Sequence, residues 1–290
     1  MMAKNGKIRT LWRNLKFLAR QDLRSGLADF SGCHAKLRDM FSALPVPDIR
    51  DFEETARMLC ETDRSIARFG DGEFAIAAGR GIAFQDADAN LAARLKSILS
   101  SPPAGCEVAL PRIGWRMDPR IEWRDHLWWM RYMRENGSFV ESLLDMSRTY
   151  YDNYVSQFNQ SAVPGFDRAR LFALLRGIWD GKDVLIVCGK GIFDGFRHDI
   201  FGNAASVEFV YGPRKNAWSE YPKLLDEALR RSAGRLVLAV LGPSATVMAA
   251  DFAMRGKRLL DLGHLAKSYD CFMRSASGEA VASRGFYRPD

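Results

Sequence analysis

The chain has 290 residues, 47% hydrophobic and 27% charged, an ordinary soluble composition with room for one large domain or two small ones. Its formal net charge is +7, but Lys4, Lys7, Arg9, Arg13, Lys16, Arg20 and Arg24 against Asp22 alone put +6 in the first 24 residues. A nearly neutral body argues against nucleic acid as a partner, because nucleic-acid-binding domains carry their own basic face. No run of about 18 apolar residues occurs, so no transmembrane helix is expected. The N-terminus lacks the apolar core of a secretory signal. Cys33, Cys60, Cys106, Cys188 and Cys271 are scattered, odd in number and form no C-x-x-C pair. That usage suits a reducing cytoplasm.

In chain order, Ile8, Leu11, Trp12, Leu15 and Leu18 recur at helical spacing with basic residues between them. Such a helix can lie on an anionic membrane surface, here through residues 4–24 on the inner face of the cell membrane. It can equally dock on its own domain or on a second subunit, giving a homo-oligomer. Pro45-Val46-Pro47 reads as a linker, so residues 1–47 form an N-terminal extension, 48–275 the main domain and 276–290 a tail. Asp51 with Glu54 predicts a capping box for a helix to about Cys60. Strands are expected near 64–69, 107–110, 184–188, 206–210, 236–241 and 259–262. Helices are expected near 88–100 and 120–146 and from Asp167 to about Trp179, and the last strands are read as three strand–helix units. Short apolar strands alternating with helices predict an α/β, Rossmann-like fold, mainly parallel, with helices on both faces. Sites in such sheets lie outside the carboxyl ends of the strands.

The most informative segment is Arg68-Phe69-Gly70-Asp71-Gly72-Glu73, an acidic turn after a strand. Carboxylates two positions apart in a turn can share one concave space, where they repel unless a proton or cation lies between them. Mg²⁺ binds through one or two carboxylates plus substrate phosphates, so the pattern suggests handling of a nucleotide diphosphate. The competing reading is a solvated acidic turn. Leu241-Gly242-Pro243-Ser244-Ala245-Thr246 reads as strand, glycine turn and helix start, with Ser244 the expected N-cap and free N–H groups facing an anion. An ordinary capped βα turn would look the same. His264 closes the last strand, as metal ligand, phosphate partner, base or structural residue. Between Pro111 and Arg134, Arg112, Arg116, Arg120, Arg124, Arg131 and Arg134 alternate with Trp115, Trp123, Trp128 and Trp129. The aromatics suit sugar rings and the arginines suit anions, or both serve a core helix with local ion pairs.

These segments together resemble the bacterial GT-D-type glycosyltransferases. The resemblance is carried by Ala67–Phe74, Gly81-Ile82-Ala83-Phe84-Gln85, Arg148–Asp152, His198-Asp199-Ile200-Phe201, Gly212–Trp218, Leu241–Val247 and Asp261-Leu262-Gly263-His264, in order, over roughly residues 64–270. It implies a Rossmann-like fold whose D-x-E motif, here Asp71 and Glu73, binds Mn²⁺ or Mg²⁺ with a nucleotide-sugar such as UDP-glucose. It implies transfer of a hexose to a glycan or glycoconjugate acceptor. Arg68, Gly70, Lys215, Asn216, Gly242, Ser244 and Thr246 become expected substrate contacts, His264 a ligand or base, and Asp199 a base. The chain departs from the family pattern at Cys188, where an acidic residue is expected, and at Ala266–Asp270, where an acidic and aromatic run is expected. A metal-dependent phosphoester hydrolase and an inactive sugar-nucleotide binding module are the alternatives.

Overall fold

The structure, a computed structural model, describes residues 46–279. The basic helix expected at 4–24, the rest of the extension up to residue 45 and the tail from residue 280 lie outside the described residues.

Eight strands form one sheet: β1 (Asp48–Ile49), β2 (Ser65–Arg68), β3 (Cys106–Leu110), β4 (Thr149–Asp152), β5 (Asp183–Gly189), β6 (Ser206–Gly212), β7 (Leu236–Val240) and β8 (Leu259–Asp261). Their order is β1-β4-β3-β2-β8-β7-β5-β6 and every pairing is parallel. The chain winds outward from β2 in one direction, then crosses over and returns to β8 beside it. Because all strands run the same way, the loops after them share one rim, with β2 and β8 at the reversal. Central strands are buried on both faces, which is why Val184–Cys188 and Leu236–Ala239 are continuous apolar runs.

The helices are α1 (Phe52–Glu61), α2 (Asp71–Ala77), α3 (Ala89–Ser100), α4 (Trp123–Glu141), the single turn α5 (Phe158–Ser161), α6 (Arg168–Arg176), α7 (Tyr221–Arg231), α8 (Pro243–Ala253) and α9 (Leu265–Ala276). The capping box forms as expected: the Asp51 carboxylate accepts from the Glu53 and Glu54 N–H groups at 3.0 and 2.8 Å, and Glu54 accepts from the Asp51 N–H at 2.9 Å. Asp88 and Asp167 cap α3 and α6. Apolar nearly all round, α8 lies between the sheet and α3 and is buried from Pro243 to Phe252.

Some expectations change. The sheet is wholly parallel. Strands β1 and β4 were not expected, one being two residues long and the other reading Thr-Tyr-Tyr-Asp. The β5–β6 connection holds turns and no helix, so it is not a strand–helix unit. Helix α9 runs through Ala276, and Glu279 pairs with Arg274 and with Arg197 at 3.2 Å, so the start of the tail is tied to the domain. Among the described residues, no helix is long and apolar enough to cross a membrane.

Candidate functional site

Arg68, the last residue of β2, organises the rim. Its Nε donates to the Asp261 carbonyl at 3.0 Å, Nη1 donates to Ser156 Oγ at 2.6 Å, and Nη2 lies 3.4 Å from Asp261 Oδ1. Both side chains are largely out of water, at 13% and 4% exposure, so the pair ties β2 to β8 and to the segment after β4. Gly263 sits at φ +46°, and a Cβ there would fall 1.7 Å from Arg68 Nη2. Arg68 is therefore held by protein groups and acts on the site through its charge.

The acidic motif opens α2. Gly70 is the N-cap, and Glu73 Oε2 accepts from its N–H at 2.9 Å. Asp71 and Glu73 start about 200° apart around that helix, at 100° per residue. The capping bond draws Glu73 back over the N-terminus. Burial pushes the Glu73 carboxyl up to about 7, helped by the charge of Asp261 and opposed by Arg68. Asp71 faces solvent, yet the surrounding protein also raises its pKa. The Tyr132 hydroxyl donates to the Asp71 carbonyl at 3.5 Å. Its pKa is raised by burial first and then by both carboxylates, so Asp71 and Glu73 press on one phenol.

Asp71 is exposed and Glu73 half-buried at the start of the same helix, and carboxylate oxygens of this kind suit a hard cation that completes its shell with water and phosphate oxygens. Among the described residues, no group of three His, Cys, Asp or Glu could hold a metal by itself. Asp71 and Glu73 would therefore hold a metal only together with oxygens of a substrate or water.

At the end of β7, Gly242 is the N-cap of α8 at φ +53°, where a Cβ would lie 2.6 Å from the Phe84 ring. This corrects the expected cap: Ser244 is inside the first turn, fully buried, and its Oγ finds no hydrogen-bond partner among the described residues. Pro243 has no N–H and the Ala245 N–H donates to the Gly242 carbonyl at 2.9 Å, so the buried Ser244 hydroxyl is the orphan polar group of this turn that an anion or a water would satisfy. Thr246, expected to touch substrate, is committed elsewhere: its Oγ1 donates to the Arg68 carbonyl at 3.0 Å and lies 3.3 Å from Asp261 Oδ2.

Half-buried His264 precedes α9, and burial with the nearby Arg68 and Lys267 charges pushes its pKa down to about 3. The ring stays neutral at physiological pH, which suits a ligand or hydrogen-bonding role better than a base. Asn216 adopts φ 55° and clasps the loop before α3. Its N–H donates to the Phe84 carbonyl at 2.8 Å, its Oδ1 accepts from the Asp86 N–H and its Nδ2 donates to Asp86 Oδ2, both at 2.7 Å. Asn216 therefore fixes Phe84 over Gly242, while Lys215 beside it is exposed. Asp199 lies in a turn of the β5–β6 connection, where its Oδ1 accepts from the Phe201 N–H at 2.8 Å. Cys188 is buried at the end of β5, and desolvation raises its thiol to about 12.

Half of the ten Trp and Arg residues of the segment from Pro111 to Arg134 are structural. Trp115 and Trp129 are buried. Arg112 and Arg120 converge on Asp118 at 3.2 and 2.6 Å, Arg120 also reaches Asp51 at 3.0 Å, and Arg124 lies 3.3 Å from Glu122. A cleft of about 280 Å³ beside α1 and α6 includes Glu53, Arg120, Phe166 and Arg170, but it lies away from Asp71 and its charges pair with one another.

Sequence reasoning quoted Asp261 among the matching segments but gave it no role, and it missed Ser156, Asn153 and Tyr132. Asn153 Nδ2 donates to the Phe69 carbonyl at 2.6 Å beside the acidic motif. A carboxylate ending the apolar run Leu259–Leu260, inside a segment that carries the family resemblance, was the signal for Asp261; the other three come from segments distant in sequence.

Comparison with known proteins agrees with this geometry. The family model for the glycosyltransferase GT-D fold matches residues 66–285. A probable glycosyl transferase Gly from Streptococcus gordonii is 29% identical over 239 residues, covering 79% of this chain and 33% of that protein. Glycosyltransferase GlyD from Streptococcus pneumoniae serotype 4 is 30% identical over 236 residues, covering 78% and 28%. The chain thus spans about a third of the length of these curated relatives. A solved domain of unknown function 1792, described as having a distinct glycosyltransferase fold, superposes with a TM-score of 0.76 at 28% identity, covering 82% of this chain and 85% of that one. A glycosyltransferase of the same domain type from Streptococcus sanguinis gives 0.75 at 28% identity, covering 84% and 93%. With three quarters of its length matched in sequence and the same fold in space, this chain belongs to the glycosyltransferase GT-D fold family.

Proposed function

We propose that this domain is a metal-dependent glycosyltransferase that moves a hexose from a nucleotide-sugar of the UDP-glucose kind to a glycan or glycoconjugate acceptor. The observation that carries the reading is the placing of two carboxylates, after β2, and a helix N-terminus with an unpartnered buried serine, after β7, on one rim at the reversal of a parallel sheet. Asp71 and Glu73 would hold Mn²⁺ or Mg²⁺. When bound, such an ion supplies Lewis-acid stabilisation of the departing diphosphate. Ser244 Oγ, at the positive end of the α8 dipole, would bind a phosphate oxygen, since Pro243 has no N–H and that of Ala245 is used within the turn. The Phe84 ring packs against Gly242 at the entry of that turn. Arg68 offsets the charge of Asp261 and Glu73, so that Glu73 can lose its proton where a cation is to be held.

Calorimetry of the full chain with UDP, with and without Mn²⁺, and an assay of sugar transfer test the reading. Tighter binding with Mn²⁺ and acceptor-dependent turnover support it. Equal affinity with EDTA refutes metal dependence. Turnover indifferent to any acceptor would favour a phosphoester hydrolase, and binding without turnover an inactive module. Peripheral attachment through residues 4–24 belongs to the same proposal, and salt-sensitive binding to anionic liposomes tests it.

A further inference from the structure

The Trp/Arg segment leaves one aromatic in water beside the site. Trp128 is 39% exposed. Its ring stacks on Tyr132, one helical turn along α4, with centroids 5.4 Å apart and planes 14° from parallel. Trp129 meets both rings edge-on, at 4.9 Å to Trp128 and 5.3 Å to Tyr132. Trp129 is itself buried, with its Nε1 donating to the Tyr154 hydroxyl at 3.0 Å. The exposed indole is therefore held against a fixed support, so that little rotamer freedom remains to be lost on binding. The platform touches the site directly, because Tyr132 donates to the Asp71 carbonyl. One turn further along α4, Asn136 accepts from Arg80 Nη2 at 2.8 Å, placing an amide and a guanidinium beside the aromatic pair. Flat apolar faces next to planar polar groups suit a pyranose, whose C–H face stacks while its hydroxyls hydrogen-bond.

Chain topology says which sugar. Helix α4 lies in the β3–β4 connection, whereas the Gly242 turn follows β7. In the order β4-β3-β2-β8-β7 these two features flank β2, and with it Asp71, from opposite sides. The diphosphate side is taken by the α8 N-terminus, which leaves the α4 side for the second substrate.

We infer that Trp128, backed by Tyr132 and Trp129, is the stacking face for a pyranose ring of the glycan acceptor, on the side of Asp71 away from the diphosphate turn. The inference rests on the glycosyltransferase reading above.

The test uses the full chain with Trp128→Ala and Trp128→Phe. The probes are methyl glucosides, methyl N-acetylglucosaminides and their disaccharides, with UDP and Mn²⁺ for the donor side. Expected for Trp128→Ala is a roughly tenfold weakening of saccharide binding, or a similar rise in acceptor KM with a smaller change in kcat, from the loss of one aromatic stack. Trp128→Phe should restore most of it, and the affinity for UDP should match the wild type. Unchanged saccharide binding in Trp128→Ala overturns the inference, as does a wild type that binds UDP but none of the saccharides. Loss of UDP affinity would assign the ring to the nucleobase, and a change in sedimentation would assign it to a subunit contact; either result also overturns it. Failure of the wild type to bind UDP at all would instead refute the underlying glycosyltransferase reading.

Discussion

Gly263→Ala tests whether the Arg68–Asp261 pair is the structural centre of the rim. Alanine at φ +46° carries a left-handed penalty of about 1–2 kcal/mol. Its Cβ would also stand 1.7 Å from Arg68 Nη2 and 2.5 Å from Cζ, so the guanidinium must leave. A free arginine tip would swing away at little cost. This one has a hydrogen bond to Ser156, another to the Asp261 carbonyl and an ion pair with a buried carboxylate. Removing one partner of a buried pair costs about 3–5 kcal/mol, because the remaining charge is left uncompensated. Partial relaxation toward solvent brings the expected total to about 3–5 kcal/mol, a large share of the roughly 5–15 kcal/mol typical of a domain. Urea unfolding measures it, and calorimetry with UDP should show weakened binding in the fraction that stays folded. The same substitution in an Arg68→Met background should cost only the backbone part of about 1–2 kcal/mol, since the guanidinium clash is gone and Asp261 is unpaired both before and after the change. A loss below about 1 kcal/mol in the wild-type background, with unchanged UDP affinity, would refute the reasoning: Arg68 would then have an equally good place elsewhere.

Glu73→Gln should change the pH dependence of stability in metal-free buffer. A pKa raised to about 7 means that the folded state favours the protonated form, so this contribution is full below the ordinary 4.5 and is lost as pH rises through 7. Glutamine still accepts from the Gly70 N–H, so the variant should gain stability over the wild type above pH 7, on the order of 1–3 kcal/mol, and not at low pH. Parallel stability curves for the two proteins would contradict this. Asp71→Asn should lower sugar transfer on the order of 100-fold with no fall in melting temperature, as for loss of a group that helps stabilise transition-state charge; near-normal rates at saturating Mn²⁺ would remove it from the metal site. Ser244→Ala removes a buried hydroxyl that has no partner, so the melting temperature should hold or rise while UDP binding weakens several-fold. A destabilised variant with intact UDP binding would make Ser244 a packing residue.

Local signals in the sequence were sufficient wherever the interaction is local. Capping boxes and caps at Asp51, Asp88 and Asp167, the apolar strands β5 and β7, and the acidic motif at a strand end each depend on residues within a few positions of one another. Parallel topology followed from strand–helix alternation, and with it the placing of Asp71, Glu73, Gly242 and His264 along one rim. Tertiary structure decided what each side chain does there. Thr246 and Asn216 carry the right chemistry for a ligand, but Arg68, Asp261 and Asp86 use it first. Asp199 turns its carboxylate into a local turn. Of the four tryptophans between Trp115 and Trp129, only Trp128 is exposed, a difference no periodicity within that segment could reveal. Two-residue β1 and polar β4 are strands because neighbouring strands supply their hydrogen bonds, not because of their own propensity. Residue types and spacing record which chemistry is present; which polar groups remain for a substrate depends on partners tens to hundreds of residues away, such as the 193 positions between Arg68 and Asp261.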